Sequence, residues 1–403
     1  MAWQRIASRR PGRLPLALAV LALLVPALVC AHERWVKQVW KPFNEAYFRS
    51  MTGEVLELSL AATCAIAAVV AGWYLLAVPL CERITPHDAD ALARERRLPV
   101  WLRSARGLLR FVLDADVETP LMVRGERWAA RIFQRIPAFV LLLGAWSGWI
   151  IMPSFPAHGA IGCTVRYAQI GLAAWVLWGR RLRELGIVTF VVFAWLTFEY
   201  REVAIDAIPV LASAFFWLFA RDPDVVNARQ LAGMRVSLGV GFFLLGLINK
   251  IFYARLFIAV GDAYPHLLDG PRHLFPGLTR EAWSFGTALG EMTFGLLLLL
   301  GLFDKLTTLA LAAIFTNFVL VFGFDEIVHF YPIAGFAVLF FHAPPGTVLD
   351  GAVFRTHVKL WHASGHSGSA ALFPVAVGLV AAAVAALLMF LPLFVFVHII
   401  PRL

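Results

Sequence analysis

The sequence predicts an all-α protein: a polytopic transmembrane helical bundle of about ten to eleven spans that contains two tandem four-helix units. Three observations carry this expectation. Of the 403 residues, 60% are hydrophobic and 15% charged, with a mean hydropathy of +0.76, a balance foreign to water-soluble globules. Apolar stretches near bilayer-crossing length recur at 14–31, 56–80, 136–152, 165–179, 186–200, 203–220, 236–259, 283–303, 306–324, 328–342 and 371–400. Finally, two parts of the chain repeat one another at a nearly constant offset.

The first stretch follows Arg5, Arg9, Arg10 and Arg13, so residues 1–31 read as a signal sequence or a first anchor, with Cys30-Ala31 at its end. Residues 32–135 comprise an outer loop, a transmembrane helix and a basic segment. That segment, 81–135, holds eleven arginines. Arg103, Arg106 and Arg110 share one face of a predicted helix at Trp101–Asp114, which suits either an in-plane helix on anionic lipid or a plain basic connector. The four cysteines, Cys30, Cys64, Cys81 and Cys163, have no CxxC spacing and read as packing residues.

The two units are expected at 136–220 and 236–342, followed by a cytoplasmic loop and a last transmembrane helix in 343–403. Glu202-x-x-x-Asp206-x-x-Pro209 matches Asp325-x-x-x-His329-x-x-Pro332 at an offset of 123 residues. The segment Gln169–Gly179 matches Glu291–Gly301 at 122 residues. Arg135 and Arg235 are each expected to open the first helix of a unit. Where the first unit has Trp149-Ile150 and Gln169, the second has Asn249-Lys250 and Glu291. Chemistry, if one unit performs it, therefore belongs to the second. The loop 343–370 carries His357, His362 and His366 near Gly365 and Gly368 and reads as a solvated linker, with metal binding the weaker alternative.

Positive residues remain on the cytoplasmic face. With Met1 inside, 24 Lys and Arg fall in inner segments and 9 in outer ones, so the chain is placed in a bacterial inner membrane with a cytoplasmic N-terminus if uncleaved. The +9 net charge then needs no nucleic acid to explain it. In this topology Lys250, Glu291, Glu199, Glu202, Asp206, Asp325, Glu326 and His329 all lie toward the outer side, facing the periplasm. Lys250 is about 22 Å beyond Arg235 at 1.5 Å per helical residue, within the outer half of the membrane.

Ionisable residues inside a bilayer are costly unless paired or hydrated, which makes Lys250 and Glu291 the candidate catalytic residues. Lys250 would attract an anionic or quinone-like oxygen and Glu291 would relay a proton; a purely structural ion pair is the competing reading. Asn249 and Asp206 are candidate cofactor-binding residues beside them. Glu326-x-x-His329 places a carboxylate and an imidazole on one helix face, so His329, Asp325 and Glu326 are the candidate metal ligands, although a di-iron centre would need a second such motif. The loop 260–282, with His266 and His273, is a candidate lid or an ordinary exposed turn.

The pattern Arg235…Gly239…Gly246-x-x-Asn249-Lys250, followed by Glu291-x-x-x-Gly295 and Gly301, resembles the DoxX family of small four-helix membrane proteins over about 110 residues, roughly 235–342. This resemblance implies a bundle associated with membrane redox chemistry, since members are linked to thiosulfate:quinone oxidoreductase and terminal quinol oxidase complexes. A quinone is then the implied cofactor, ahead of a metal. Its partners would be membrane lipid and a membrane or periplasmic redox protein, with no nucleic acid. The chain departs from the family in being roughly twice as long and in carrying Asp325-Glu326-Ile-Val-His329 after the third helix of the unit. No dinucleotide fingerprint or P-loop is present. An ion or small-solute carrier is disfavoured by the scarcity of inner polar residues beyond Thr307, Thr308, Thr316 and Asn317. A non-catalytic assembly factor is the third reading.

Overall fold

A computed structural model describes residues 64, 67–80, 93, 97–112, 120–156, 159–200, 207–221, 225–252, 258, 265–274, 276–302, 304–322, 329–342, 349–364 and 372–394. The elements described are helices, except for one two-stranded hairpin, so the chain is all-α. In order they are α1 (Ala67–Leu80), α2 (Val100–Val112), α3 (Pro120–Ser147), strands β1 (Trp149–Ile150) and β2 (Met152–Pro156), α4 (Gly159–Trp178), α5 (Leu182–Tyr200), α6 (Leu211–Leu218) and α7 (Ala228–Leu244). A π-helical segment, Leu245–Phe252, continues α7. Then come α8 (Asp269–Leu274), α9 (Arg280–Leu300), α10 (Asp304–Phe322), α11 (Phe330–His342), α12 (Leu349–Ala363) and α13 (Leu372–Phe394).

Three stretches are long and apolar enough to cross a bilayer: Arg124–Ser147, Ala228–Ile248 and Arg280–Leu300. Shorter apolar helices accompany them, including Ala67–Leu80, Ala207–Leu218, Lys305–Thr316, Phe330–His342 and Leu372–Val384. Large apolar side chains such as Trp146, Phe198 and Leu320 point outward, a surface suited to lipid. The chain is a helical membrane protein.

The helices pair in a regular way. α3 packs along α4 and α5 along α6; further on, α7 packs along α9 and α10 along α11. The two groups join through α3 against α11 and α6 against α7, so the first helix of each group meets the last helix of the other. At the centre, Phe133, Met234, Leu238, Phe242 and Phe336 are fully buried, with Phe242 edge-on to Phe315 at 4.9 Å.

Local chemistry fixes several boundaries. The Asn227 side chain accepts from the N–H groups of Arg229 and Gln230, while Gln230 Oε1 accepts from Asn227 N at 2.9 Å, a reciprocal cap that starts α7. Gln230 Nε2 also donates to Phe216 O at 2.8 Å, tying α7 to the end of α6. Gly301 ends α9 with a left-handed φ of 65°. The tightest crossing is α7 on α9, where a Cβ on Gly239 would lie 2.8 Å from Gly295 O and one on Gly295 would lie 2.5 Å from Phe243 N. Any side chain there would force the backbones apart.

Four expectations need correction. Neither Arg135 nor Arg235 opens a helix: α3 begins at Pro120, because the chain before Arg135 is already helical and amphipathic, and α7 begins at Ala228 behind its Asn227 cap; the Arg135 side chain is exposed whereas Arg235 is 3% exposed. The apolar run 136–152 is not one span, since α3 stops at Ser147 and Gly148, at φ 88°, turns the chain into the hairpin. Cys64 and Cys163 are exposed rather than packed, while Cys30 and Cys81 lie outside the described residues. Residues 349–363 are not a solvated linker but helix α12, with His357 buried against Trp361 and Phe373. The predicted basic helix appears as α2, with Arg103 and Arg106 exposed. The signal sequence or first anchor lies outside the described residues.

Candidate membrane-embedded site

Lys250 and Glu291 are joined directly, Nζ donating to Oε1, although 41 residues separate them in sequence. Their helices impose this meeting. Gly246 sits one turn before Lys250, and a Cβ there would be 2.6 Å from Ala288 O and 3.1 Å from Glu291 Cβ. Without a side chain at that position, the π segment lies directly on α9 and Glu291 falls beside Lys250. The segment's wider turn is a backbone form concentrated at functional positions.

The surroundings are apolar. Leu247, Ile251, Phe285, Ala288, Leu289, Met292 and Leu296 form one buried cluster around the two charges. Lys250 is 8% exposed and Glu291 9%. Glu291 Oε1 holds the ammonium, but Oε2 is buried and has no hydrogen-bond partner among the described residues. One lone-pair-rich oxygen thus sits in a low-dielectric environment with capacity to spare.

The neighbouring group of helices uses the corresponding place differently. Gln169, on α4, is 1% exposed; its Oε1 accepts from Ile151 N at 2.6 Å and its Nε2 donates to Trp149 O at 2.8 Å. A neutral amide there ties α4 to the hairpin beyond α3, as Glu291 ties α9 to the segment beyond α7. The sequence comparison placed Trp149-Ile150 against Asn249-Lys250 and Gln169 against Glu291, and each pair of segments is in contact.

The other predicted site residues do not assemble in the same way. Asn249 lies in the π segment next to Lys250, and only its backbone is described. Asp206, Asp325 and Glu326 lie outside the described residues. His329 is half-buried, with its ring 5.0 Å from that of Phe315. Among the described residues no three His, Cys, Asp or Glu side chains gather closely enough to hold a metal ion. Glu199 and His273 are exposed, and loop 260–282 contributes the short helix α8.

Two features escaped the sequence reading. One is a cavity of about 390 Å³ bounded by α3 to α6, with Tyr331 of α11 closing it. The other is buried His357, whose pKa is lowered by desolvation, opposed by the backbone of Tyr74. Periodicity signals neither, because voids and loop-to-helix contacts arise only once elements meet. No family model, curated protein or solved structure matches this chain.

Proposed function

We propose that the protein is a DoxX-like, redox-associated component of a bacterial inner-membrane complex, handling a quinone or its protons at Lys250 and Glu291 on the periplasmic side. The observation that carries this reading is the free Oε2 of Glu291 beside a buried ammonium. Lys250 supplies positive charge to a ligand oxygen that gains electron density. Glu291 takes up and releases the accompanying proton through Oε2. Electrons come from a partner redox protein. Asn249 and Asp206 would complete the polar wall.

The same reading has about ten to eleven spans, two tandem units and an N-terminus on the cytoplasmic side. Its support is the positive-charge asymmetry and the helix pairing, in which each group has the same internal contacts and the join is reciprocal. Helices of 19–21 residues are compatible with spanning, and the shorter ones would be extended by segments outside the described residues.

The test is the double variant Lys250→Met with Glu291→Gln, expressed with its redox partner system. It should insert and melt normally yet lose quinone-linked turnover. Full turnover in the correctly inserted double variant rejects the proposal and leaves the pair as structural glue.

A further inference from the structure

We infer that the cavity in the first helical group is a binding slot for a single hydrocarbon chain, the tail of a membrane lipid or of a polyprenyl compound. This inference stands independently of the Lys250 and Glu291 proposal. The slot separates α4 from α5, which are consecutive in sequence yet make little contact with each other. Its walls are aliphatic: Leu172 and Val176 come from α4, Leu185 and Val188 from α5, and Val140 from α3.

The polar groups at its edge are occupied. Gln169 is committed to Ile151 N and Trp149 O, Thr189 Oγ1 donates to Leu185 O at 2.8 Å, and Tyr331 OH donates to Val210 O at 3.2 Å. Trp217 is the exception, its indole nitrogen having no partner among the described residues, but that nitrogen is itself covered. Water inside would find almost nothing to bond, so the space suits neither water nor a polar solute. A space of about 390 Å³ that is walled by apolar side chains and open on one side fills with whatever apolar medium surrounds the protein. Hydrocarbon is the filler that matches both the walls and the surrounding solvent.

Gly171 marks the mouth. It lines the slot, it is exposed on the outer surface of α4, and a Cβ built on it meets no atom within 4 Å. The same face carries exposed Tyr167 and Ile170, and α5 answers with exposed Ile187 and Val191, so the opening is toward lipid. A chain can enter sideways from the bilayer without crossing a polar layer.

The experiment uses the full chain in nanodiscs with two photoreactive probes: a phosphatidylcholine and a polyprenyl alcohol, each with a diazirine near the end of its chain. Adducts are mapped by mass spectrometry. Val176 and Leu185 line the slot but are buried from the surface, whereas Val191 faces lipid and reports ordinary contact. Labelling of Val176 and Leu185 is expected and should be lost in Gly171→Phe, which fills the mouth, while labelling at Val191 persists. Capture of the phospholipid probe alone assigns the slot to an acyl tail, capture of the polyprenyl probe alone to an isoprenoid, and capture of both to any such chain. If neither probe labels Val176 or Leu185, or if Gly171→Phe leaves their labelling unchanged, the inference is overturned. Gly171→Leu, a smaller filler on the same helix, serves if the Phe variant does not insert.

Discussion

Lys250 and Glu291 show how one residue's energetics depend on another far away in sequence. Each charge is buried among aliphatic side chains, where a lone ion is far costlier than an ion pair. Lys250→Met should therefore cost about 3–5 kcal/mol, because it leaves the Glu291 carboxylate without its cation. The double variant Lys250→Met with Glu291→Gln should recover most of that loss, since no ion remains to be compensated. Thermal unfolding of the three purified proteins in one detergent measures both effects. Equal destabilisation by the single and double variants would mean that packing volume, not charge, holds the helices together at this point. Both residues were legible in the sequence because an ionisable group in an apolar run stands out without any structure. Buried His357 was not legible, since a histidine in a Gly- and Ser-containing loop reads as solvated until the neighbours that cover it are known.

At the scale of the element, the π segment and α9 owe their contact to absent side chains. Gly246→Ala would set a methyl group 2.6 Å from Ala288 O, so the helices must separate, at about 1–3 kcal/mol, and Lys250 must draw away from Glu291. Gly290→Ala on the facing helix α9 meets nothing within 4 Å and should instead stabilise α9 by up to about 1 kcal/mol through helix propensity. Opposite shifts in melting temperature for these two alanines are the expected result; shifts of one sign would contradict the contact. A second element, α12, is held by His357, whose pKa is lowered by desolvation against the weaker upward effect of the Tyr74 backbone. A histidine depressed in the folded state binds protons more readily when released. Its contribution is therefore complete above the unfolded value of about 6.5 and is lost as the pH falls through the lower folded value. Amide hydrogen exchange across Leu349–Ala363, corrected for intrinsic rates, should accelerate between pH 7.5 and pH 5.5, and His357→Phe should remove that dependence. Helix ends were less legible than helices: the run 136–152 hid a break at Gly148 because Trp149, Ile150 and Ile151 are as apolar as a span.

At the scale of the molecule, the contacts constrain how the two groups of four helices sit in the bilayer. The first helix of each group packs on the last helix of the other, an arrangement with approximate two-fold character. In the proposed topology each helix of a group crosses once, so four crossings return the chain to the side it left, both groups enter from the same face and the two-fold direction runs along the membrane normal. That topology puts the hairpin at 149–156 and the short helix α8 on one side of the bilayer and α2 on the other. The proposed absolute direction puts α2 on the cytoplasmic side, where 24 of the 33 Lys and Arg outside the expected spans fall. In a background with the four native cysteines replaced by serine, Ser154→Cys and Gly270→Cys should react with an impermeant thiol reagent added to intact cells. Val100→Cys should react only after the membrane is opened. Labelling of position 100 from outside would invert the topology and move the Lys250 and Glu291 site to the cytoplasmic side. Opposite accessibility of positions 154 and 270 would break the parallel relation between the groups, since a hairpin and a helix on opposite faces cannot follow two entries from the same side.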